Sequence, residues 1–151
     1  MIKVLFLCHG NICRSTMAEF VFRDMVQKAG LQDKISCASC ATSREELGNP
    51  VHYGTAKVLD GMGITNYHHK RACQLTAADG ESYDYLICMD QNNIRNAKRI
   101  LKPAHYGKLQ LLMSFAGSDA QVADPWYTGN FEATKADVLA GCSALLNHLT
   151  K

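Results

Sequence analysis

The chain begins with Ile2-Lys3-Val4-Leu5-Phe6-Leu7, apolar at all but one position, and passes without a spacer into Cys8-His9-Gly10-Asn11-Ile12-Cys13-Arg14-Ser15-Thr16. So uniform an apolar run lacks the polar alternation of a half-exposed strand and fits a parallel strand covered on both faces. From Met17 the spacing becomes helical. Met17, Val21 and Met25 recur every fourth residue, with Ala18, Phe22, Val26 and Ala29 beside them, and Gly30 stops the helix. Strand, polar loop and helix in immediate succession restrict the chain to α/β architectures. They also place the loop beyond the carboxyl end of a strand, where open α/β sheets bind ligands.

The remaining pattern extends this alternation. Residues 35–39 fit a second strand, 43–50 are polar and turn-rich, and 51–61 fit a helix carrying Val58 and Leu59. Residues 83–89 (YDYLICM) form the other strong apolar strand. A helix over 91–101 follows, with Ile94, Ala97 and Leu101 on one face and Pro103 ending it, then a strand over 109–113. Residues 114–130 read as a long loop containing Asp124-Pro125-Trp126-Tyr127. A last helix over 131–149 carries Phe131, Val138, Cys142, Leu145 and Leu149 along one side. Alternating strands and helices predict a parallel sheet with helices on both faces. With no repeat or linker in 151 residues, one domain over 1–151 is expected.

Composition removes several function classes. Hydrophobic residues make up 47% and charged residues 20%, ordinary globular values that exclude disorder, collagen-like fibres and coiled coils. A net charge of +2 gives no electrostatic case for nucleic acid or an anionic membrane as partner. No apolar run approaches the roughly 20 residues that span a bilayer. The N-terminal run has no small-residue cleavage site and does not read as a signal peptide. Seven cysteines cannot all pair, and without an export signal they read as free thiols in a reducing cytoplasm.

Cys8 and Arg14 bracket five residues, and Ser15 follows. A loop of that length can turn its backbone N–H groups inward as an anion nest at a helix N-terminus. Gly10 and Asn11 are residue types that tolerate the left-handed backbone such a curl requires. The same field favours the thiolate of Cys8. Arg14 offers a planar fork for two phosphoryl oxygens, which lysine does not. The spacing alone also arises by chance, and a cysteine after a buried strand is often only a small apolar residue. Nucleotide-loop readings fail, since neither G-x4-G-K-[ST] nor G-x-G-x-x-G occurs. Phosphoryl transfer to a thiol needs a proton donor for the leaving oxygen and later a base for water. Asp124 is the candidate. By itself it reads as an Asp-Pro turn, but it follows a predicted strand, as a loop at the same sheet edge would.

Together the strand-CHGNICRST segment and DPWYTGNFE resemble the low-molecular-weight protein tyrosine phosphatase family. The likeness extends through SCASCATS, GNP and YDYLICMD and covers essentially the whole chain. It implies a four-stranded parallel sheet with flanking helices, a phosphate-binding loop after the first strand, and a phosphocysteine mechanism without metal or cofactor. Carried over by residue, it makes Cys8 the nucleophile, Arg14 the phosphoryl-binding and stabilising group, and Asp124 the general acid, then base. It makes Ser15 the hydroxyl on the nucleophile's sulfur, Asn11 the loop-shaping residue, and Ser39 its support. His9, Gly10, Ile12 and Cys13 complete the loop around the substrate, and Trp126 and Tyr127 are the aromatics beside the acid, the first walling the cleft. The implied partners are phosphotyrosine proteins and a cognate tyrosine kinase, for a cytoplasmic monomer or weak dimer.

The sequence departs from the family pattern at several places. His9 stands where a small or apolar residue is usual. It lines the cleft, favours the thiolate as a cation, or merely faces solvent. Glu45 falls near the usual second cleft aromatic, which would disfavour acidic phosphopeptides. The histidine that normally buttresses the loop asparagine has Lys70 at its strict position, with His69 one residue away. Thr16 replaces the usual proline. Cys13 reads either as packing or as a reversible disulfide partner of Cys8. Cys37 and Cys40 form a C-x2-C, with His68 and His69 as further zinc candidates, but without a second such pair. Two other function classes compete. A thiol-dependent arsenate reductase would need a cysteine relay, with Cys73 and Cys88 as candidates. A non-catalytic phosphotyrosine-binding module would leave Cys8, Arg14 and Asp124 without chemistry.

Overall fold

The apolar run at the start of the chain is one of the two inner strands of the sheet. In the computed structural model, which describes residues 1–151, β1 (Ile2–Cys8) lies between β2 (Ile35–Ala41) and β3 (Tyr85–Cys88), and β4 (Leu109–Leu111) lies outside β3. The order is β2-β1-β3-β4 with every pairing parallel. Ile2 is opposite Ile35 and Cys8 opposite Ala41, while Leu7 is opposite Cys88 on the other side. This register brings the carboxyl ends of β1, β2 and β3 to one edge.

Six helices cover the sheet: α1 (Arg14–Lys28), α2 (Tyr53–Gly61), α3 (Ala77–Ser82), α4 (Gln91–Lys98), the four-residue α5 (Pro125–Thr128) and α6 (Phe131–Leu149). Val4 and Phe6 of β1 pack with Met17, Phe22, Val138 and Leu145 on the face covered by α1 and α6. Leu5 and Leu7 point the other way, into a smaller core with Leu86, Ala97 and Leu101. All four β1 side chains are fully buried, which is why the run shows no alternation. Each such burial contributes on the order of 1.5–3 kcal/mol.

The parallel sheet and the two helical faces agree with the sequence expectation; several element ends do not. α1 begins at Arg14, three residues before its apolar face, because its first turn belongs to the polar loop. Its stop is as expected, with Gly30 left-handed at φ 71°. β2 continues to Ala41, and β3 occupies only Tyr85–Cys88 of the 83–89 run. α2 begins at Tyr53, and α4 ends at Lys98, short of Leu101. The expected loop over 114–130 contains the end of a 3-10 turn (Leu112–Ala116) and α5. α3 and a second 3-10 turn (Pro103–Lys108) were not expected.

Candidate active site

Between β1 and α1 the backbone reverses at Asn11, whose φ of 62° makes it the one non-glycine residue with positive φ. Asparagine tolerates this conformation better than most residues. Gly10 does not share it, contrary to the sequence reading. A Cβ there would lie 3.2 Å from the Glu46 side chain, so the requirement at Gly10 is close approach. The carbonyls of Cys8, His9, Ile12 and Cys13 turn outward and accept from Thr42 N, Ser43 N, His52 N and Thr55 Oγ1 at 2.9–3.2 Å. The amides of Ile12, Cys13, Arg14 and Ser15 find no acceptor within the protein. Unpaired N–H groups at a helix N-terminus are what an anion requires.

The sulfur of Cys8 accepts from Asn11 N at 3.3 Å and lies 3.0 Å from Ser15 Oγ. Asn11 Nδ2 donates to Ser15 Oγ at 2.8 Å and to Ser39 Oγ at 2.9 Å, and Asn11 Oδ1 accepts from Cys73 N. These donors fix the hydroxyl protons. Ser15 accepts from Asn11, so its own hydrogen is free for the Cys8 sulfur, and Ser39 correspondingly donates to Glu19 Oε1 at 2.5 Å. Glu19 is buried and compensated by Arg23 Nη2 at 2.8 Å and Lys70 Nζ at 3.5 Å. Lys70 also donates to Ser39 O at 2.7 Å. Lys70 thus supports Asn11 through Ser39 and Glu19 and does not touch it, while His69 packs edge-on against Phe20.

Arg14 is 4% exposed and its guanidinium joins three segments. Nη1 donates to Asp90 Oδ2 at 2.8 Å and to Val122 O at 3.4 Å, and Nη2 lies 3.3 Å from Asp124 Oδ2. Burial opposes its charge, but the Cys8 thiolate, Asp90 and Asp124 outweigh that penalty and raise its pKa above the usual arginine value. Asp90 caps α4 through Oδ1, and Asp124 caps α5 through Oδ1. Thus each carboxylate spends one oxygen on a helix end and the other on Arg14.

Cys8, Arg14 and Asp124 open onto one cleft of about 410 Å³, also lined by the loop from His9 to Cys13, Glu45, Glu46, Trp126 and Tyr127. Trp126 and Tyr127 stand 61% and 86% exposed at its mouth. His9 lines the cleft and is held by Glu45, with Nε2 and Oε2 2.8 Å apart. Cys13 is buried, and burial together with the neighbouring Cys8 pushes its thiol up to about 12. Cys37 and Cys40 point to opposite faces of β2, so they cannot chelate one ion together. Cys88 is buried in the smaller core, whereas Cys73 is exposed.

The site brings together the residues singled out from the sequence: Cys8, Asn11, Arg14, Ser15, Ser39, Asp124, Trp126 and Tyr127. It adds Asp90, Glu19 and Glu46, which sequence reasoning missed. Asp90 had a signal, since it follows a buried strand at the same sheet edge. Glu19 had another, a carboxylate in the helical row of Ser15.

The family model for low molecular weight phosphotyrosine protein phosphatases matches residues 3–151. The chain belongs to this family. It is 40% identical to the low molecular weight protein-tyrosine-phosphatase YfkJ of Bacillus subtilis over 153 aligned residues, covering all of this chain and 97% of that protein. Staphylococcus epidermidis PtpA is also 40% identical, with 100% and 96% covered. The crystal structure of YfkJ superposes with a TM-score of 0.94, at 39% identity over 99% of this chain and 95% of that one. The low molecular weight phosphatase SP-PTP of Streptococcus pyogenes gives 0.87 at 40% identity, over 99% and 93%. Three residues that the sequence singled out as departures, Lys70, Glu45 and Thr16, all make contacts around the loop. The first completes the buried network, the second holds His9, and Thr16 donates to Cys13 O at 3.0 Å.

Proposed function

We propose that this phosphatase hydrolyses phosphotyrosine proteins and small aryl phosphates in two displacements at Cys8. The Cys8 thiolate attacks phosphorus, forming the P–S bond as the P–O bond to the phenol breaks, and Asp124 gives its proton to the departing oxygen. Water then attacks the phosphocysteine, Asp124 takes a proton from it, and the P–S bond breaks to return thiolate and phosphate. Ser15 donates to the sulfur as it leaves. Arg14 and the loop amides hold the equatorial oxygens, where charge gathers in the in-line transition state. The observation that carries this reading is the run of unpaired loop amides from Ile12 to Ser15 that follows Cys8, in the cleft Cys8 shares with Arg14 and Asp124. The aromatic mouth and deep-lying sulfur favour the long phosphotyrosine side chain over phosphoserine.

A tyrosine kinase acting on the same proteins would supply the substrate. Seven free thiols suit a reducing, cytoplasmic setting, and no helix is long and apolar enough to cross a membrane. The arsenate reductase alternative loses support because one relay candidate, Cys88, is fully buried while the other, Cys73, is exposed.

The test is turnover of p-nitrophenyl phosphate and phosphotyrosine in EDTA. Wild type is expected to be active, Cys8→Ser inactive, and Asp124→Ala slower in kcat by about 10²–10⁴. Rapid acid quench should trap phosphocysteine. Full activity in Cys8→Ser would overturn the mechanism.

A further inference from the structure

Beside the cleft lies a larger hollow of about 800 Å³ that the proposed reaction does not use. Trp126 lines both and forms the ridge between them. The floor is aromatic. The Phe131 ring stacks on His52 with centroids 5.3 Å apart, and it sits so close to Gly54 that a side-chain methyl there would overlap it. Tyr53 also stacks on His52, at 4.4 Å, and is 81% exposed. The large exposed hydrophobic residues of the whole chain are Met1, Leu47, Tyr53, Trp126 and Tyr127, so three of five surround these two depressions. Such clustering on one face marks a contact surface.

Charge changes sign across the ridge. On the cleft side stand the carboxylates of Glu45, Glu46 and Asp124. On the hollow side stand Lys57 and Lys135 with a single carboxylate, Glu132, which lies 3.9 Å from the Lys135 ammonium. Lys57 is exposed and has no ion-pair partner.

We propose that the hollow is a subsite for the substrate polypeptide itself, taking an aromatic or large apolar side chain and an adjacent carboxylate on one side of the phosphotyrosine. This rests on the phosphotyrosine reading of the cleft. The hollow continues the cleft across Trp126, so a chain with its phosphotyrosine inserted passes directly over it. Exposed Tyr53 and Lys57 make it an open trough that suits an extended chain. Its lysines complement a carboxylate that Glu45 and Glu46 would repel on the other side. The substrate is thereby oriented, acidic-aromatic end over α2 and basic or neutral end over the Glu45 rim.

The test compares phosphotyrosine peptides of equal length carrying Phe-Glu, Phe-Lys or Ala-Ala on either side of the phosphotyrosine. Wild type should prefer Phe-Glu to Phe-Lys on one side only, by about fivefold in kcat/KM at low salt and mainly through KM. Lys57→Glu/Lys135→Glu should abolish or reverse that preference, and Tyr53→Ala should lower Phe-Glu toward Ala-Ala. p-Nitrophenyl phosphate, too small to reach the hollow, should stay within about twofold in every variant, which also verifies folding. An unchanged peptide ranking in the lysine variant overturns the subsite. So does a wild-type dimer in sedimentation that Tyr53→Ala dissolves, because the face would then belong to a second copy. Failure of wild type on p-nitrophenyl phosphate and on every peptide would instead reject the phosphotyrosine reading.

Discussion

Asp90 and Asp124 meet Arg14 from two loops, and each is also a helix cap. This divides the functions of Asp90 in a testable way. Asparagine is an equally good cap but carries no charge for the guanidinium, so Asp90→Asn should keep α4 and loosen Arg14. A hydrogen bond to a charged group contributes roughly 1.5–3 kcal/mol, which predicts a loss of about ten- to hundredfold in kcat/KM with little change in Tm. Unchanged kinetics would deny Asp90 that part. The thiols differ as sharply. Iodoacetamide at neutral pH should label Cys8, with protection by phosphate, and the exposed Cys73. It should leave Cys13 unlabelled, since that buried thiol is pushed up to about 12. Labelling of Cys13 before Cys8, read by peptide mass spectrometry, would contradict the geometry. Cys8, Arg14 and Asp124 were legible in the sequence because spacing and neighbours distinguish them. Glu19 and Lys70 were not, because a single charged residue looks solvated until the fold closes over it.

Among the elements, β1, β3 and α6 were legible from apolar runs or helical spacing. α3 was not, because Gly80 is its only buried residue and the local mark is the Thr76–Asp79 capping box alone. The start of α1 was obscured for a different reason: its first turn serves the loop and has no apolar stripe. Two helical glycines separate intrinsic preference from packing. At Gly61, the end of α2, an added Cβ meets nothing within 4 Å, so Gly61→Ala should stabilise by about 0.4–1 kcal/mol through the unfolded chain. At Gly141 in α6 the same methyl would lie 2.5 Å from Leu112 Cγ, and overpacking should cost about 1–3 kcal/mol despite better helix propensity. Urea unfolding of the two variants should move in opposite directions. Equal shifts would show that helix propensity decides at both sites.

At the scale of the molecule, the buried cysteines set an alkaline limit. Burial, the leading cause at each, pushes Cys13 and Cys37 up to about 12 from 9.0, and Cys40, Cys88 and Cys142 are raised as well. Above pH 9 the unfolded chain releases these protons while the native protein keeps them. Stability from this source is complete below the unfolded value and falls as pH rises toward the folded ones, by up to roughly 1.4 kcal/mol per unit for each thiol. Unfolding midpoints should therefore decline from pH 9 upward, and less steeply in Cys142→Ala. A flat profile would show that the thiols ionise in place. The strand order has a consequence for folding. β1 precedes the other three strands in the chain yet lies in the middle of the sheet, and its second neighbour, β3, comes some eighty residues later. Its hydrophobic face then waits for α6, at the far end of the chain. The strand and the loop that follows it therefore depend for a closed core on segments distant in the chain. Closing the cleft is thus a long-range event, because Asp124 reaches Arg14 from a segment more than a hundred residues farther along the chain.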